Sequence, residues 1–295
     1  MSFRYFPAYL LQRFPPLAMV LFIILYVTVS RVANHDQGYE QVSVGLDTLL
    51  GVLSCISFFF RLRVMDEIKD FKTDQVVHPE RLVVQGKVSI PFLIGMSLPG
   101  FLLEAYWSYS HGLISGLLWA VAVGYTLLMR YEFFIGEYLG KRLFSYAFTH
   151  TLIMPLVVAW LWSAQAHIIF GPSLALYLLM AIAFFAALAF EVARKTYSGK
   201  EEPIEIMTYS KRFGRKGASM LTSLLLLINC LGLFALFELF ALAMWPLGLS
   251  FLVFFIVFMM YVLANRKGET NLYRKAEKMV SLAMVLNYSF LIWML

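Results

Sequence analysis

The sequence predicts an all-α, polytopic membrane protein, in which nine transmembrane helices form one domain over residues 1–295. Composition argues against a soluble domain, because 61% of the 295 residues are hydrophobic and 14% are charged, against about 45 to 50% and about 25% in soluble proteins. The apolar residues also form runs close to the roughly 20 residues that a spanning helix needs. We therefore expect a multi-pass protein of the plasma or inner membrane.

Nine apolar runs meet this length criterion, and they predict spans at 14–31, 47–65, 90–109, 113–130, 147–166, 172–193, 217–236, 240–264 and 276–295. The first run is short, begins at Pro15-Pro16 and has a basic flank, as a signal peptide has. No small-residue cleavage site follows it, so we interpret it as a retained helix. An odd number of spans places the two ends of the chain on opposite sides of the membrane.

The basic residues predict the orientation of the helices, because Lys and Arg are retained on the cytoplasmic side. Of the 24 Lys and Arg residues, all except Arg31 fall at the N-terminus, in the connections after helices 2, 4, 6 and 8, or at the helix ends next to these connections. We therefore expect a cytoplasmic N-terminus. The net charge of +6 reports topology, and no nucleic-acid partner is expected.

Three connections on the predicted cytoplasmic side are long and polar, at 66–89, 131–146 and 194–216. In the first, helix 2 is expected to continue through Asp74, to break at His78-Pro79 and to turn at Gly86. The second mixes aromatic and charged side chains and predicts an amphipathic interfacial helix. We expect the three loops to cap the functional site.

Four carboxylates recur at helical spacing at the end of helix 2, namely Asp66, Glu67, Asp70 and Asp74. In a helix they share one stripe, where neighbouring like charges cost about 0.2 to 0.5 kcal/mol per pair. A divalent cation against the stripe would relieve that repulsion, and oxygen-only ligands suit magnesium. The alternative is a solvated helix face with Lys69 and Lys72 interleaved.

The stripe resembles the first aspartate-rich motif of UbiA-like membrane prenyltransferases, which usually reads Asn-Asp-x-x-Asp-x-x-x-Asp. Asp66 stands where the family has Asn and Glu67 where it has Asp, while Asp70 and Asp74 match. The number of spans and a second charged cluster after helix 6 also fit this family. The resemblance therefore covers nearly the whole chain.

Two later segments resemble the family less closely. Arg81 and Gly86 match an Arg-Pro-Leu-Pro-Ser-Gly run, but its middle four residues are replaced. At the end of helix 6 the family shows Asp-x-x-x-Asp, and here Glu191 holds the first position and Lys195 the second. Glu191 is either a site carboxylate at the mouth of a span or the partner of an interfacial salt bridge.

A run of loop acids follows this second segment, comprising Glu201, Glu202 and Glu205. These carboxylates either reach back to the site or are solvated.

The resemblance implies a helical bundle around a central apolar cavity open to the cytoplasmic side. In the family, magnesium held by the two acidic motifs binds the diphosphate of an isoprenyl donor. The implied catalytic residues and Mg²⁺ ligands are Asp66, Glu67, Asp70, Asp74 and Glu191. The expected diphosphate-binding cations are Arg63, Lys69, Arg81, Arg142 and Lys195.

The chemistry of allylic diphosphates agrees with this arrangement. Such a donor ionises when metal ions and basic side chains neutralise its leaving group, and a water-poor cavity protects the cation from hydrolysis. The expected partners are an isoprenyl diphosphate, an unidentified acceptor and membrane lipid. The alternatives are a same-fold transferase with another diphosphate donor, such as phosphoribosyl transfer to a polyprenyl phosphate, and a divalent-cation transporter.

Polar residues within the spans carry structural predictions. Asp47 follows Gly45 and is expected to cap helix 2, while Asn229 and Asn287 are expected to bridge helices. Glu104 is expected near the outer surface. The two cysteines lie in apolar runs and predict no disulfide.

Overall fold

The computed structural model describes residues 2–39, 45–165, 173–199, 201–203, 207–267 and 270–295, the last range without the side chain of residue 270. Over these ranges the chain is helical, with no β-strand. The prediction of an all-α membrane protein is confirmed.

Twelve α-helices and one short 3₁₀ turn at Glu132–Phe134 follow one another in these ranges. The helices are α1 Ser2–Arg13, α2 Pro16–Asp36, α3 Leu46–Val77, α4 Ile90–Ser110, α5 Leu113–Arg130, α6 Gly136–Gly140, α7 Leu143–Thr151, α8 Ile153–Gln165, α9 Leu174–Arg194, α10 Tyr209–Leu239, α11 Trp245–Lys267 and α12 Thr270–Met294. Pro16 opens α2 because proline lacks only a hydrogen bond that the first helical turn does not make. Ser89, Ser173 and Thr208 cap α4, α9 and α10 through their side chains.

Among the described residues, eight helical segments are long and apolar enough to cross a membrane: α2 to α5, α7 with α8, and α9 to α11. The ninth predicted span falls on α12, which is 25 residues long but not among the eight. Its first turns carry Arg274, Lys275, Glu277 and Lys278. The count of nine spans therefore stays a prediction.

The chain divides into two compact units, the first of which comprises Met1–Phe134 and Trp160–Ile169. In this unit α3 packs against α2, α4 and α5. The side chains of Phe58 and Trp107 contact the ring of Trp160. The Trp160 indole also donates a hydrogen bond to Ser108, at 2.8 Å.

The second unit comprises Ile135–Ala159 and Phe170–Leu295. Its core lies among α7, α9, α10, α11 and α12. Asn287 donates to Asn229 at 2.8 Å, and Asn229 donates to the backbone carbonyl of Ile182 at 2.7 Å. The prediction that these two asparagines bridge helices is confirmed.

The connection between α5 and α7 differs from its prediction. Instead of one amphipathic helix it contains the 3₁₀ turn and the five-residue α6. Glu132, Phe133 and Phe134 have positive φ angles of 49°, 54° and 57°, which right-handed helices do not allow. The aromatic and charged composition indicated an interfacial segment, but it gave no sign of these three residues with positive φ.

Candidate active site

The acidic stripe lies on continuous helix, because α3 runs without a break from Leu46 to Val77. The helix ends at Val77, because Pro79 disfavours helical backbone at the residue before it, His78. The chain then turns at Gly86, whose φ of 69° favours glycine. The predicted extension of helix 2 through Asp74, the break and the turn are all confirmed.

Arginines compensate the charge of two stripe carboxylates in enclosed contacts. Glu67 Oε1 lies 2.5 Å from Arg13 Nε, and the Asp74 carboxylate pairs with Arg81. Both acids are almost completely buried, at 2% and 5% exposure. The stripe repulsion expected from the sequence is therefore relieved in part by protein cations, including Arg13, which the sequence analysis did not select.

Asp66 and Asp70 are more open to solvent. Asp66 lies 3.2 Å from Arg63, with its side chain 34% exposed. Asp70 is 47% exposed, and its Oδ1 lies 3.9 Å from Lys69 Nζ. The Nε of Arg63 is buried and has no hydrogen-bond partner among the described residues, so this guanidinium keeps an unused donor next to its contact with Asp66.

The donor set decides which residues fit a magnesium ion. Over the described ranges, no group of three Asp, Glu, His or Cys side chains is arranged to hold a metal. Magnesium commonly uses one or two carboxylates together with substrate phosphates and water. Asp66 and Asp70, one helical turn apart, fit that mode, whereas Glu67 and Asp74 are already enclosed by arginines.

The second charged cluster lies where α9 ends. Glu191 contacts Arg194 Nη2 at 2.6 Å and Lys195 Nζ at 2.8 Å. Lys195 Nζ also lies 5.9 Å from the centre of the Tyr146 ring, a cation–π contact. Glu191 is thus in the ion pairs that its second interpretation predicted, and the cluster of one acid with two bases has a positive net charge.

Arg274, at the start of α12, holds the loop after α9 and was missed by sequence reasoning. Its guanidinium donates to the Thr196 carbonyl at 3.1 Å, lies 4.2 Å from the Tyr197 ring centre and pairs with Glu201 at 3.4 Å. Glu202 accepts a hydrogen bond from Ser210, at 3.0 Å. Glu201 and Glu202 therefore have structural partners, while residue 205 lies outside the described ranges.

The guanidinium of Arg142 lies in the segment between α6 and α7. It stacks on Tyr138, 4.2 Å from the ring centre, and contacts the hydroxyl of the same side chain. This contact orients the guanidinium without neutralising it.

Inside the first unit, an ion pair joins Arg61 of α3 to Glu104 of α4. Arg61 Nη2 lies 2.7 Å from Glu104 Oε2, and Glu104 also accepts hydrogen bonds from Ser57 at 2.7 Å and Trp119 at 3.0 Å. Glu104 has 0% exposure, so it lies in the interior of this unit, and its expected place near the outer surface stays a prediction. Hydropathy could not reveal the pairing with Arg61, because a paired acid and an unpaired acid have the same hydropathy value.

Asp47 also has a different role from the one expected. The residue at the N-cap of α3 is Gly45. Asp47 instead accepts from the Trp107 indole at 3.1 Å and contacts the His111 imidazole at 3.1 Å. It thereby joins α3 to the end of α4.

Both cysteines are buried and free, as expected.

Comparison with known proteins gives one family and two similar folds. The family model described as the UbiA prenyltransferase family matches residues 24–283. A structure from a study of digeranylgeranylglyceryl phosphate synthase in membranes is 14% identical, with a TM-score of 0.67 over 99% of this chain and 98% of that chain. The apo structure of a UbiA homologue from Aeropyrum pernix K1 is 14% identical, with a TM-score of 0.63 over 90% of this chain and 96% of that chain. No curated protein sequence matches significantly.

Proposed function

Because this chain belongs to the UbiA prenyltransferase family, we propose that it transfers an isoprenyl group from an isoprenyl diphosphate to an acceptor within the membrane. The observation that carries the proposal is the stripe of Asp66, Glu67, Asp70 and Asp74 on the end of α3. It lies in the region that the family model matches. Its cationic neighbours supply the charge that a diphosphate requires.

Asp66 and Asp70 are the proposed metal ligands, and Mg²⁺, when bound there, would supply positive charge to the departing diphosphate. Arg63 and Lys69 lie beside these two acids. Their side chains would bind diphosphate oxygens directly through charge-assisted hydrogen bonds. Arg81, held against Asp74, would bind from the loop that follows α3.

The reaction breaks the allylic C–O bond, and its electron pair leaves with the diphosphate. The resulting carbocation is attacked by an electron-rich atom of the acceptor, which loses a proton if it carries one at that position. The protein's contribution is to neutralise the leaving group and to exclude water, because water would compete as the nucleophile. The apolar helices of the protein suit the exclusion of water from the prenyl group.

We further propose that Lys195 and Arg142 bind phosphate oxygens of the donor. Lys195 replaces a family carboxylate and belongs to a cluster with a positive net charge. An ammonium there would compensate donor charge without a second metal. Arg142 is restrained by Tyr138, which lowers the entropic cost of ordering its guanidinium on a ligand.

The proposal is tested by Asp70→Asn in the purified full chain. Asp70 is the most exposed acid of the stripe, so its replacement removes a ligand without disturbing a buried contact. We expect magnesium-dependent release of diphosphate from geranyl, farnesyl and geranylgeranyl diphosphate to fall by about 100-fold or more. A matched control is Glu80→Gln, since Glu80 is an exposed acid of the following loop that contacts His78 and should leave the rate unchanged.

Two results would contradict this function. One is full activity of Asp70→Asn with every prenyl donor. The other is wild-type turnover of phosphoribosyl diphosphate with no turnover of any prenyl diphosphate, which would identify the same fold with a different donor.

A further inference from the structure

The N-terminal helix α1 packs against the acidic end of α3. Tyr9 is fully buried in a cluster with Val64 of α3 and with Val83 and Val88 of the following loop. On the opposite face Phe3 and Leu11 are 76% and 66% exposed. Helix α1 therefore covers the stripe helix with one face, and its other face suits the membrane interface.

Three polar contacts tie α1 to this region at both of its ends. Near the start, Ser2 Oγ accepts a hydrogen bond from Ser89 N at 3.2 Å. Near the end, Gln12 Oε1 accepts from Leu82 N at 3.1 Å, and Arg13 pairs with Glu67 at 2.5 Å. The loop that contains Arg81 is thus held by α1 at residues 82 and 89.

The Arg13–Glu67 pair is enclosed by protein. Glu67 is 2% exposed and the Arg13 side chain 15% exposed. The Tyr9 hydroxyl is also buried and has no hydrogen-bond partner among the described residues. Burial raises the pKa of Tyr9, and the negative charge of Glu67 raises it further, which agrees with a close approach of α1 to this carboxylate.

We propose that Glu67 is a positioning residue, which holds α1 over the stripe through Arg13 and does not bind metal, although it occupies a carboxylate position of the family motif. The inference rests on the proposed function for the reaction that the site serves. Through Ser2 and Gln12, the anchored helix keeps the loop of residues 82–89 in place. Arg81, at the entrance of that loop, is thereby kept beside Asp74. The metal is left to Asp66 and Asp70.

The test compares three variants of the full chain in detergent, Glu67→Gln, Arg13→Gln and Asp70→Asn. Two measurements are made on each, neither of which needs turnover. Hydrogen exchange of residues 2–13 reports whether α1 is held. Electron paramagnetic resonance of Mn²⁺, titrated with geranyl thiodiphosphate present, reports metal affinity.

We expect Glu67→Gln and Arg13→Gln to speed exchange in α1 by about tenfold or more, because each breaks an enclosed ion pair. Neither should weaken Mn²⁺ binding by more than about twofold. Asp70→Asn should do the reverse, with unchanged exchange and about tenfold weaker Mn²⁺ binding. Arg4→Gln is the matched control on α1, since the Arg4 side chain is exposed and lies over the ring of its neighbour Tyr5. This variant should change neither the exchange rate nor the Mn²⁺ affinity.

The proposal is overturned if Glu67→Gln weakens Mn²⁺ binding as much as Asp70→Asn does. It is also overturned if exchange in α1 is unchanged in both Glu67→Gln and Arg13→Gln. Should Glu67→Gln fail to fold, Arg13→Gln decides whether the pair holds α1, and Glu67→Asp, which shortens the side chain but keeps its charge, decides whether Mn²⁺ affinity depends on the position of this carboxylate. If Asp70→Asn binds Mn²⁺ like the wild type while α1 is released as expected, the positioning role stands and the proposed metal site falls.

Discussion

Asp70 and Asp74 lie one helical turn apart on α3, yet their surroundings differ. Asp70 is about half exposed and 3.9 Å from Lys69, whereas Asp74 is enclosed with Arg81. An exposed pair contributes little to stability, since water screens both charges. Removal of one member of an enclosed pair leaves the other charge without compensation. The same substitution should therefore have different consequences at the two positions.

We expect Asp74→Asn to lower the free energy of unfolding by about 3 kcal/mol, because Arg81 would keep its charge and lose its partner. Asp70→Asn should change it by less than about 0.5 kcal/mol. The thermal midpoint of each purified variant in detergent measures the difference. Equal midpoints for the two variants would show that the Asp74–Arg81 contact contributes nothing special to stability.

Lys195 offers a second contrast between neighbouring residues. Its ammonium lies 2.8 Å from Glu191 and over the Tyr146 ring, whereas the Arg194 side chain is 51% exposed. We expect Lys195→Asp to weaken binding of geranyl thiodiphosphate by about tenfold, the value of one charge-assisted hydrogen bond. It should also make that binding depend more steeply on magnesium.

The matched control for Lys195 is Arg194→Asp, which makes the same charge change at a more exposed member of the cluster and should have a smaller effect. Calorimetric titration at several magnesium concentrations measures both variants. The role of Lys195 fails if Lys195→Asp keeps wild-type affinity and magnesium dependence while Glu191→Gln loses activity.

At the scale of helices, the Arg61–Glu104 pair joins α3 to α4, and Trp119 brings α5 into the same network. The guanidinium also lies 4.9 Å and 5.5 Å from the ring centres of Phe58 and Phe101. Because Arg61 lies on α3 five residues before Asp66, the pair restrains the helix that carries the stripe. The Arg61–Glu104 ion pair is distinct from the Arg13–Glu67 ion pair, which holds α1 against α3.

We expect Glu104→Gln to destabilise the protein by about 3 kcal/mol, because a buried arginine loses its counter-charge. The double variant Arg61→Met with Glu104→Leu should recover most of that loss, since no buried charge remains. Thermal midpoints of the single and double variants in detergent test this. A double variant less stable than Glu104→Gln would mean that the network contributes more than charge compensation.

Individual elements also differ in how far the sequence could predict them. The extension of α3 followed from helical spacing and its end from Pro79, because both are local effects. The broken segment after α5 and the Glu104 pair depend on contacts between distant parts of the chain. The roles of Arg13 and Arg274 also depend on distant contacts. From the sequence alone, a basic residue at a helix end is equally consistent with a lipid headgroup contact.

For the whole chain, the long apolar runs and the family motif predicted the all-helical membrane fold, which the family and fold matches confirm. They did so because a spanning helix must satisfy its own backbone hydrogen bonds and so leaves a clear signal in the sequence. The site residues are less predictable. A carboxylate that binds metal and one that pairs with arginine can occupy the same helical spacing in the sequence. Only the packed structure shows that Glu67 is enclosed with Arg13 while Asp70 is open to solvent.

The orientation of the chain gives a prediction at this scale. Single cysteines at Arg4, Glu80 and Glu137 should react with a membrane-impermeant maleimide from the cytoplasmic side, because basic residues accompany each of these segments. Cysteines at His111 and Ala241 should react only from the opposite side. The native Cys55 and Cys230 are buried and should not interfere. Reaction of Glu80→Cys and His111→Cys from one side would refute the predicted topology.

The central claim is prenyl transfer, and the most direct measurement is the fate of a radiolabelled prenyl chain. Membranes that contain the wild-type chain are incubated with labelled allylic diphosphates and Mg²⁺, and the extracted lipids are separated and identified by mass spectrometry. We predict that label moves from the diphosphate to a new lipid with the wild type and not with Asp70→Asn. Label that stays in the donor, or that appears only as the free prenyl alcohol with every donor tested, would contradict the account.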